Sequence, residues 1–331
     1  MSNYQTYVGI DVSKEHLDIT LMQSLKVCEH TRIENNVNAI KAYINKHAKG
    51  YDFSQALFCL EATGLYMNPL LSVLSLNSWA TWVENPVEIK RSLGLRRGKN
   101  DKVDAARIAE YATRFSDKAR LYRPKDELMS QLQSLDNLRE QLVESRKRLK
   151  TTYQENERFM FSSSFAVYKQ HSEPILESLT KEIQLIEKQM QEFLAQDADL
   201  KAMYEITCSV VGVGKITAMA VLIVTEGFQR FKQGNKFACH CGVVPFENSS
   251  GKFKGRERVS RMANKRLKKL LHMCALSAIS QQGELRDYYL RKLEENKPKM
   301  SILNAVRNKI IQRIFACIRK GEMYQKNFLK V

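Results

Sequence analysis

The sequence predicts a mixed α/β domain followed by a mainly helical half. Three observations carry that division. Short apolar runs bounded by turn residues fill the first hundred positions and alternate with helical patterns from residue 36 onward. After Pro124 the apolar residues switch to helical and heptad spacing. A chain of 331 residues exceeds one compact core, and 44% hydrophobic residues can fill more than one.

Residues 4–12 and 16–22 read as two strands joined by a polar turn, and 27–34 as a third. Asn36 opens a helix to about Ala48, with Val37, Ile40 and Ile44 on its apolar face. The run 55–60 reaches Glu61, residues 65–76 read as a helix, and 80–85 as a strand before Pro86. Strands in hairpins and then alternating with helices suggest a mixed sheet. Residues 87–100 carry Lys90, Arg91, Arg96, Arg97 and Lys99 together with Gly94 and Gly98, and read as a flexible basic segment leading to Asp101.

Leu128, Leu132, Leu135, Leu142 and Leu149 form a heptad seam. After Pro174, Leu176, Leu179, Ile183, Ile186, Met190 and Phe193 repeat at three and four, and a polar, aromatic interruption separates the two stretches. Two long helices are expected, folded back as a hairpin or pairing with another subunit. The domains fall at 1–123, 124–202 and 203–331.

Four acidic residues stand out. Asp11 and Glu61 end apolar runs, where a last strand side chain can face a cleft. Asp101 and Asp104 are three apart at a helix start and share its face, with Asp101 able to cap that helix. Grouped carboxylates need a counter-charge. Magnesium or manganese supplies it, and a pair of such ions can clamp both oxygens of a phosphodiester displacement. Carboxylates on central strands and a later helix match a ribonuclease-H-like layout.

Charge points to the partner. The 53 Lys+Arg against 36 Asp+Glu leave a net charge of +17, which favours nucleic acid first and an anionic membrane surface second. Residues 252–269 hold Lys252, Lys254, Arg256, Arg258, Arg261, Lys265, Arg266, Lys268 and Lys269 against Glu257 alone, a pattern for phosphate contacts. Residues 291–320 are again basic and helical in pattern. Gly212-Val213-Gly214 lies between two apolar helical patterns, as in a helix-hairpin-helix whose turn offers N–H groups to phosphate, though a plain helix–helix turn reads the same way. Just before the basic patch, Pro245 and Gly251 bound a loop with Ser249 and Ser250.

Seven cysteines without a disulfide framework indicate reduced thiols in a cytosol, and Cys239-His240-Cys241 is too tight for a zinc site. The sequence opens on no secretory pattern and contains no membrane-length apolar run.

The segments YVGIDVSKEHLDI, CLEATGLY, KNDKVDAARIAEY, SVVGVGKITA and CGVVPFENSSGK…VSRMANKRLKKLL together resemble a DEDD-type insertion-sequence transposase, a family related to the pilin-gene invertase. The resemblance runs over nearly the whole chain, with Lys99-Asn100-Asp101 where the family usually has lysine-threonine-aspartate. It implies a RuvC-like N-terminal domain, a coiled-coil insertion and a C-terminal transposase domain in a bacterial cytoplasm. Asp11, Glu61, Asp101 and Asp104 would hold Mg2+. The family's serine nucleophile falls on Ser250 counting forward from Pro245, and on Ser249 counting back from VSRMANKRLKK. Donor and target double-stranded DNA would be chosen by a non-coding bridge RNA, as in other guided systems. A dimer or tetramer would form through the coiled coil, and serine and carboxylates would meet within one subunit or across two. The alternatives are a RuvC-like endonuclease that uses water and forms no adduct, and a non-catalytic nucleic-acid-binding protein.

Overall fold

The computed structural model describes residues 4–94, 100–124, 126–250, 253–259 and 263–325. The chain divides into two compact units, Met1–Pro124 and Lys125–Val331.

The first unit is built on a five-stranded sheet of β1 (Thr6–Val12), β2 (His16–Gln23), β3 (Lys26–Glu34), β4 (Ala56–Glu61) and β5 (Thr81–Glu84). Its order is β3-β2-β1-β4-β5. The first three strands run antiparallel, as hairpins require, and β4 and β5 lie parallel to β1 after helical crossovers. This mixed order matches the expected ribonuclease-H-like layout.

Alternation splits the strands between two faces. Val8, Ile10, Val12, Leu17, Ile19 and Leu21 pack with α1 (Val37–His47) and α2 (Asn68–Leu76). Asn36 caps α1 by accepting from Ala39 N. The opposite face receives α4 (Asp101–Arg114), whose Ile108, Tyr111 and Ala112 pack with Leu57, Cys59 and Trp82. Gly9 makes this approach possible. A Cβ there would stand 2.2 Å from Ala109 N and 2.3 Å from Ala105 O. The small residues of α4 therefore sit directly on β1.

Two local expectations change. The basic segment begins as a helix, α3 (Pro86–Leu93), with Pro86 in its first turn and Asn85 accepting from Val87 N. Lys90 and Arg91 ride on it. The cap of α4 is Asn100, which accepts from Lys102 N, and Asp101 is the first helical residue.

In the second unit, α5 (Glu127–Phe159) and α6 (Ser162–Leu194) run back along each other. Arg139–Glu187, Arg146–Thr180 and Tyr153–Glu173 pair in antiparallel sequence order. The expected interruption shrinks to Met160 and Phe161, and Pro174 lies inside α6. That proline forfeits one backbone bond, and the packed turns on both sides carry the helix through it.

The base of the hairpin joins the second core. Met129, Leu132, Ile186, Met190 and Leu194 pack with α7 (Ala198–Ser209), α8 (Lys215–Thr225), α10 (Lys265–Ser280) and α12 (Lys299–Lys320). Short α9 (Gly234–His240) and α11 (Glu284–Glu294) complete the helices. The expected serine loop is a two-stranded hairpin instead, β6 (Pro245–Ser250) against β7 (Phe253–Val259). Phe246↔Arg258 and Ser250↔Phe253 pair across it, so backbone ladder bonds replace loop irregularity. Among the described residues, no helix is long and apolar enough to cross a membrane.

Candidate functional site: a carboxylate row under helix α4

The register of the sheet places charges side by side. Asp11 lies opposite Asp18, and Asp18 lies opposite Arg32. Ile10 pairs with Leu60, so Asp11 and Glu61 follow at the same level, and Glu61 pairs with Glu84. Paired residues project from the same face. A row Arg32–Asp18–Asp11–Glu61–Glu84 thus crosses all five strands. It lies on the face that Gly9 opens to α4, which supplies Asp101 and Asp104 in its first turn.

The carboxylates act on one another. Burial and the charges of Asp104, Glu61, Asp101 and Asp18 push the Asp11 carboxyl up to about 6. Glu61 is raised by burial, with Lys90 opposing and Asp104 reinforcing the shift. Cations already hold the two helical acids. Arg107 Nη1 stands 3.1 Å from Asp104 Oδ1, and Arg32 Nη2 stands 2.6 Å from Asp101 Oδ2. Among the described residues, no three acidic, histidine or cysteine side chains are gathered tightly enough to hold a metal ion. The four expected acids share a field without being closed into a cage. Their donors are all hard carboxylate oxygens, those of Asp11, Glu61 and Asp104 partly buried and those of Asp101 exposed, which is the chemistry a divalent cation satisfies.

Three residues of this site escaped the reading of the sequence. Asp18 is buried and accepts from Arg32 Nε at 3.0 Å and Nη2 at 2.8 Å, with His30 Nε2 at 3.3 Å. Arg32 is the cationic end of the row. Glu84 accepts from the Tyr111 hydroxyl at 3.3 Å and from Asn85 N. A hairpin register read from the turn between Val12 and His16 would have set Asp18 opposite Asp11. Beside the row, His30, Lys102, Arg107 and Arg114 line a groove of about 520 Å³ with Thr20 and Met22.

The expected nucleic-acid contacts divide. Arg96, Arg97, Lys99, Lys252 and Arg261 lie outside the described residues. Ser249, Ser250, Lys254, Arg256 and Arg258 are placed by backbone alone, the two serines next to the turn of the β6–β7 hairpin. Lys265 is exposed at the start of α10. Arg266 is engaged inside the second unit. Its guanidinium pairs with buried Asp136 through Nη1 and, at 2.6 Å, through Nη2, and its Nε stands 2.6 Å from Glu140 Oε2. It ties α10 to α5.

The two glycines of the α7–α8 turn also separate. Gly212, at φ +87°, presses on α10, where a Cβ would meet Cys274 O at 2.4 Å. That contact makes it a packing residue. Gly214 precedes α8 with open space where a Cβ would stand, and no side chain caps that helix. Burial keeps Cys241 protonated and, with Arg230, depresses His240, so the Cys-His-Cys segment is structural.

Two family models match the chain. One, described as "Transposase", matches residues 8–156 and spans all four expected carboxylates. The other, described as "Transposase IS116/IS110/IS902 family", matches residues 204–290 and spans the glycine turn, the serines and the basic patch. The pilin gene-inverting protein of Moraxella lacunata is 22% identical over 334 residues, covering 97% of this chain and 98% of that protein. The insertion element IS116 44.8 kDa protein of Streptomyces clavuligerus is 26% identical over 120 residues, 36% of this chain and 30% of that protein. A probable family 20 transposase of Pseudomonas aeruginosa is 25% identical over 153 residues, 45% of this chain and 44% of that protein. Among solved structures, T. thermophilus RuvC in complex with a Holliday junction substrate is 13% identical with a TM-score of 0.29, covering 36% of this chain and 99% of that one. The chain belongs to the IS116/IS110/IS902 family of DEDD-type insertion-sequence transposases.

Proposed function

We propose that this transposase cuts and rejoins DNA with a divalent-cation site on the carboxylate row and a serine nucleophile on the β6–β7 hairpin. The observation that carries the reading is the register that sets Asp11 and Glu61 at one level on the face where the first turn of α4 brings Asp101 and Asp104; there burial, and after it the charges of Asp104, Glu61, Asp101 and Asp18, push the Asp11 carboxyl up to about 6. Repulsion of this kind is costly to retain in a fold unless a cation relieves it.

Asp11, Glu61, Asp101 and Asp104 would hold Mg2+ or Mn2+, two ions in the full site. Bound there, the ions supply Lewis-acid polarisation of the scissile phosphate and help ionise the attacking hydroxyl. The protein's own residues do the rest. Gly9 and the alanines of α4 hold the helical acids over the strand acids. The hydroxyl oxygen of Ser250, with Ser249 as the alternative, bonds to phosphorus. The bond to the 3′ oxygen breaks, and that oxygen leaves as a 3′-hydroxyl, its proton balancing the one the serine loses. The resulting protein–DNA ester keeps the bond energy, so a second DNA 3′-hydroxyl can rejoin without ATP.

Exposed Lys265, the open turn before α8 and the cations of residues 252–269 other than Arg266 contact phosphates of donor and target DNA and of a guide RNA. A guide RNA would leave sequence choice to base pairing. The long hairpin of α5 and α6 gives subunits a surface on which to assemble as a dimer or tetramer.

The test uses the purified protein with its co-purifying RNA, Mg2+ and a labelled duplex, resolved on a denaturing gel. Wild type yields a protein-linked strand, Asp11→Asn and Asp104→Asn yield none while still binding DNA, and Ser250→Ala cuts without an adduct or not at all. An unchanged adduct from Ser250→Ala transfers the role to Ser249 or removes it. Cleavage with no adduct from wild type overturns the serine and leaves water as nucleophile.

A further inference from the structure

We infer that Arg32 is a positioning residue that competes with the divalent cation for Asp101. The inference rests on the cation reading above and adds to it a residue that sets how readily the site loads.

Arg32 is divided between two carboxylates of unequal grip. Asp18 is 5% exposed and takes the Nε and Nη2 edge of the guanidinium at 3.0 and 2.8 Å, directly across the β2–β3 register. Asp101 takes Nη2 alone at 2.6 Å and is 59% exposed. Two bonds to a buried acid outlast one bond to an exposed acid. Asp18 is thus the anchor and Asp101 the removable partner. Arg32 reaches 69 residues along the chain to make this pair, which links the first turn of α4 to β3. Asp101 and Asp104 sit one helical turn apart, so a pull on Asp101 also governs where Asp104 faces.

The consequence is a loading threshold. Without cation, Arg32 supplies one of the positive charges that this acidic face requires. With cation, Asp101 turns to the ion while Arg32 stays on Asp18. An ion that takes Asp101 as a ligand would have to replace that ion pair, which weakens its apparent affinity. In exchange, the cation-free protein keeps α4 seated and one acid neutralised.

The test is a binding measurement with Mn2+ alone, read by its electron paramagnetic resonance signal. The protein is full-length, free of nucleic acid, at pH 7.5. Asp18→Asn/Arg32→Gln removes one charge of each sign and releases Asp101. It should bind Mn2+ about two- to fivefold more tightly than wild type, the range expected for losing one exposed competing pair. In an Asp101→Asn background the same pair of substitutions should change nothing. Arg32→Lys keeps the charge and loses the fork, so it should bind more tightly than wild type without disturbing the fold. Equal Mn2+ affinity of wild type and both Arg32 variants, or a gain that persists with Asp101→Asn, overturns the role of Arg32. Failure of the cation reading looks different: wild-type Mn2+ binding would then be absent or unaffected by Asp11→Asn.

Discussion

Gly9→Ala probes the joint that gathers the site. A Cβ at position 9 would lie 2.2 Å from Ala109 N, 2.3 Å from Ala105 O and 2.7 Å from Ala109 Cα, where ordinary contacts begin at 3.4 Å. All three atoms belong to the α4 backbone, so no side chain can swing aside. Helix α4 must retreat from β1 by roughly 1 Å, since packed interiors do not compress. Overpacking of this kind costs about 1–3 kcal/mol. The same retreat carries Asp101 and Asp104 away from Asp11 and Glu61, and a misplacement of about 1 Å in a reacting group can cost about 100-fold in rate. Urea unfolding should show a lowered midpoint with an unchanged slope, and Mn2+ binding should weaken although every carboxylate is intact. A Gly9→Ala protein with wild-type midpoint and wild-type Mn2+ affinity would refute the seating of α4 on β1 as the device that assembles the acids.

Three further outcomes follow from the second unit. Arg266→Ala strands Asp136, which is 1% exposed, as an unpaired buried charge, and should cost about 3–5 kcal/mol by urea unfolding, whereas Asp136→Leu with Arg266→Met should recover most of that loss. Lys265→Ala, one residue away and exposed, should leave the midpoint alone and reduce the salt dependence of DNA binding. Gly212→Ala should lower stability by about 1–3 kcal/mol because its φ is +87° and its Cβ site is occupied by Cys274 O, while Gly214→Ala should unfold as wild type does. Equal losses at the two glycines would dismiss the packing account of the turn.

The strands of the first unit were legible because their apolar runs have clean ends and their caps follow rules. Asn36 opens a helix, and Glu61 closes a strand. The places of Asp11 and Glu61 near strand ends, and of Asp101 and Asp104 at a helix start, were legible for the same reason, although the cap itself is Asn100. What sequence did not disclose depends on register or on competing signals. Asp18 joins the row once the short β1–β2 turn sets that hairpin's register, and Arg32 only once β3 is aligned too, across a pairing that shifts between Leu21 and Met22. Helix α3 was hidden by its own cations, although Asn85-Pro86 is a regular helix start. Pro174 looked like a boundary, and tertiary packing overrode it. Arg266 looked like one more member of a basic run, and only the fold brings Asp136 to it from 130 residues away.

Asp11 and Asp18 stand opposite each other on neighbouring strands, yet their substitution should have opposite effects on stability. Asp18 is buried with Arg32 and His30 bound to it, so Asp18→Asn loses its charge-assisted bonds and should unfold earlier. Asp11 is surrounded by like charge and burial that raise it from 3.8 to about 6. The sign follows from proton uptake. Between about pH 4 and 6 the folded protein retains a proton that the unfolded chain has released, so cation-free stability falls as pH rises through that window. The fall stays under about 3 kcal/mol, because solvent screens part of the carboxyl. Asp11→Asn removes the charge, so it should flatten that slope and raise the unfolding midpoint at pH 7 while abolishing DNA cleavage. Saturating Mn2+ should flatten the wild-type slope in the same way, since a bound cation relieves the same repulsion. An Asp11→Asn protein less stable than wild type at pH 7 would mean that Asp11 serves the fold. The repulsion here assigned to cation binding would then need another origin.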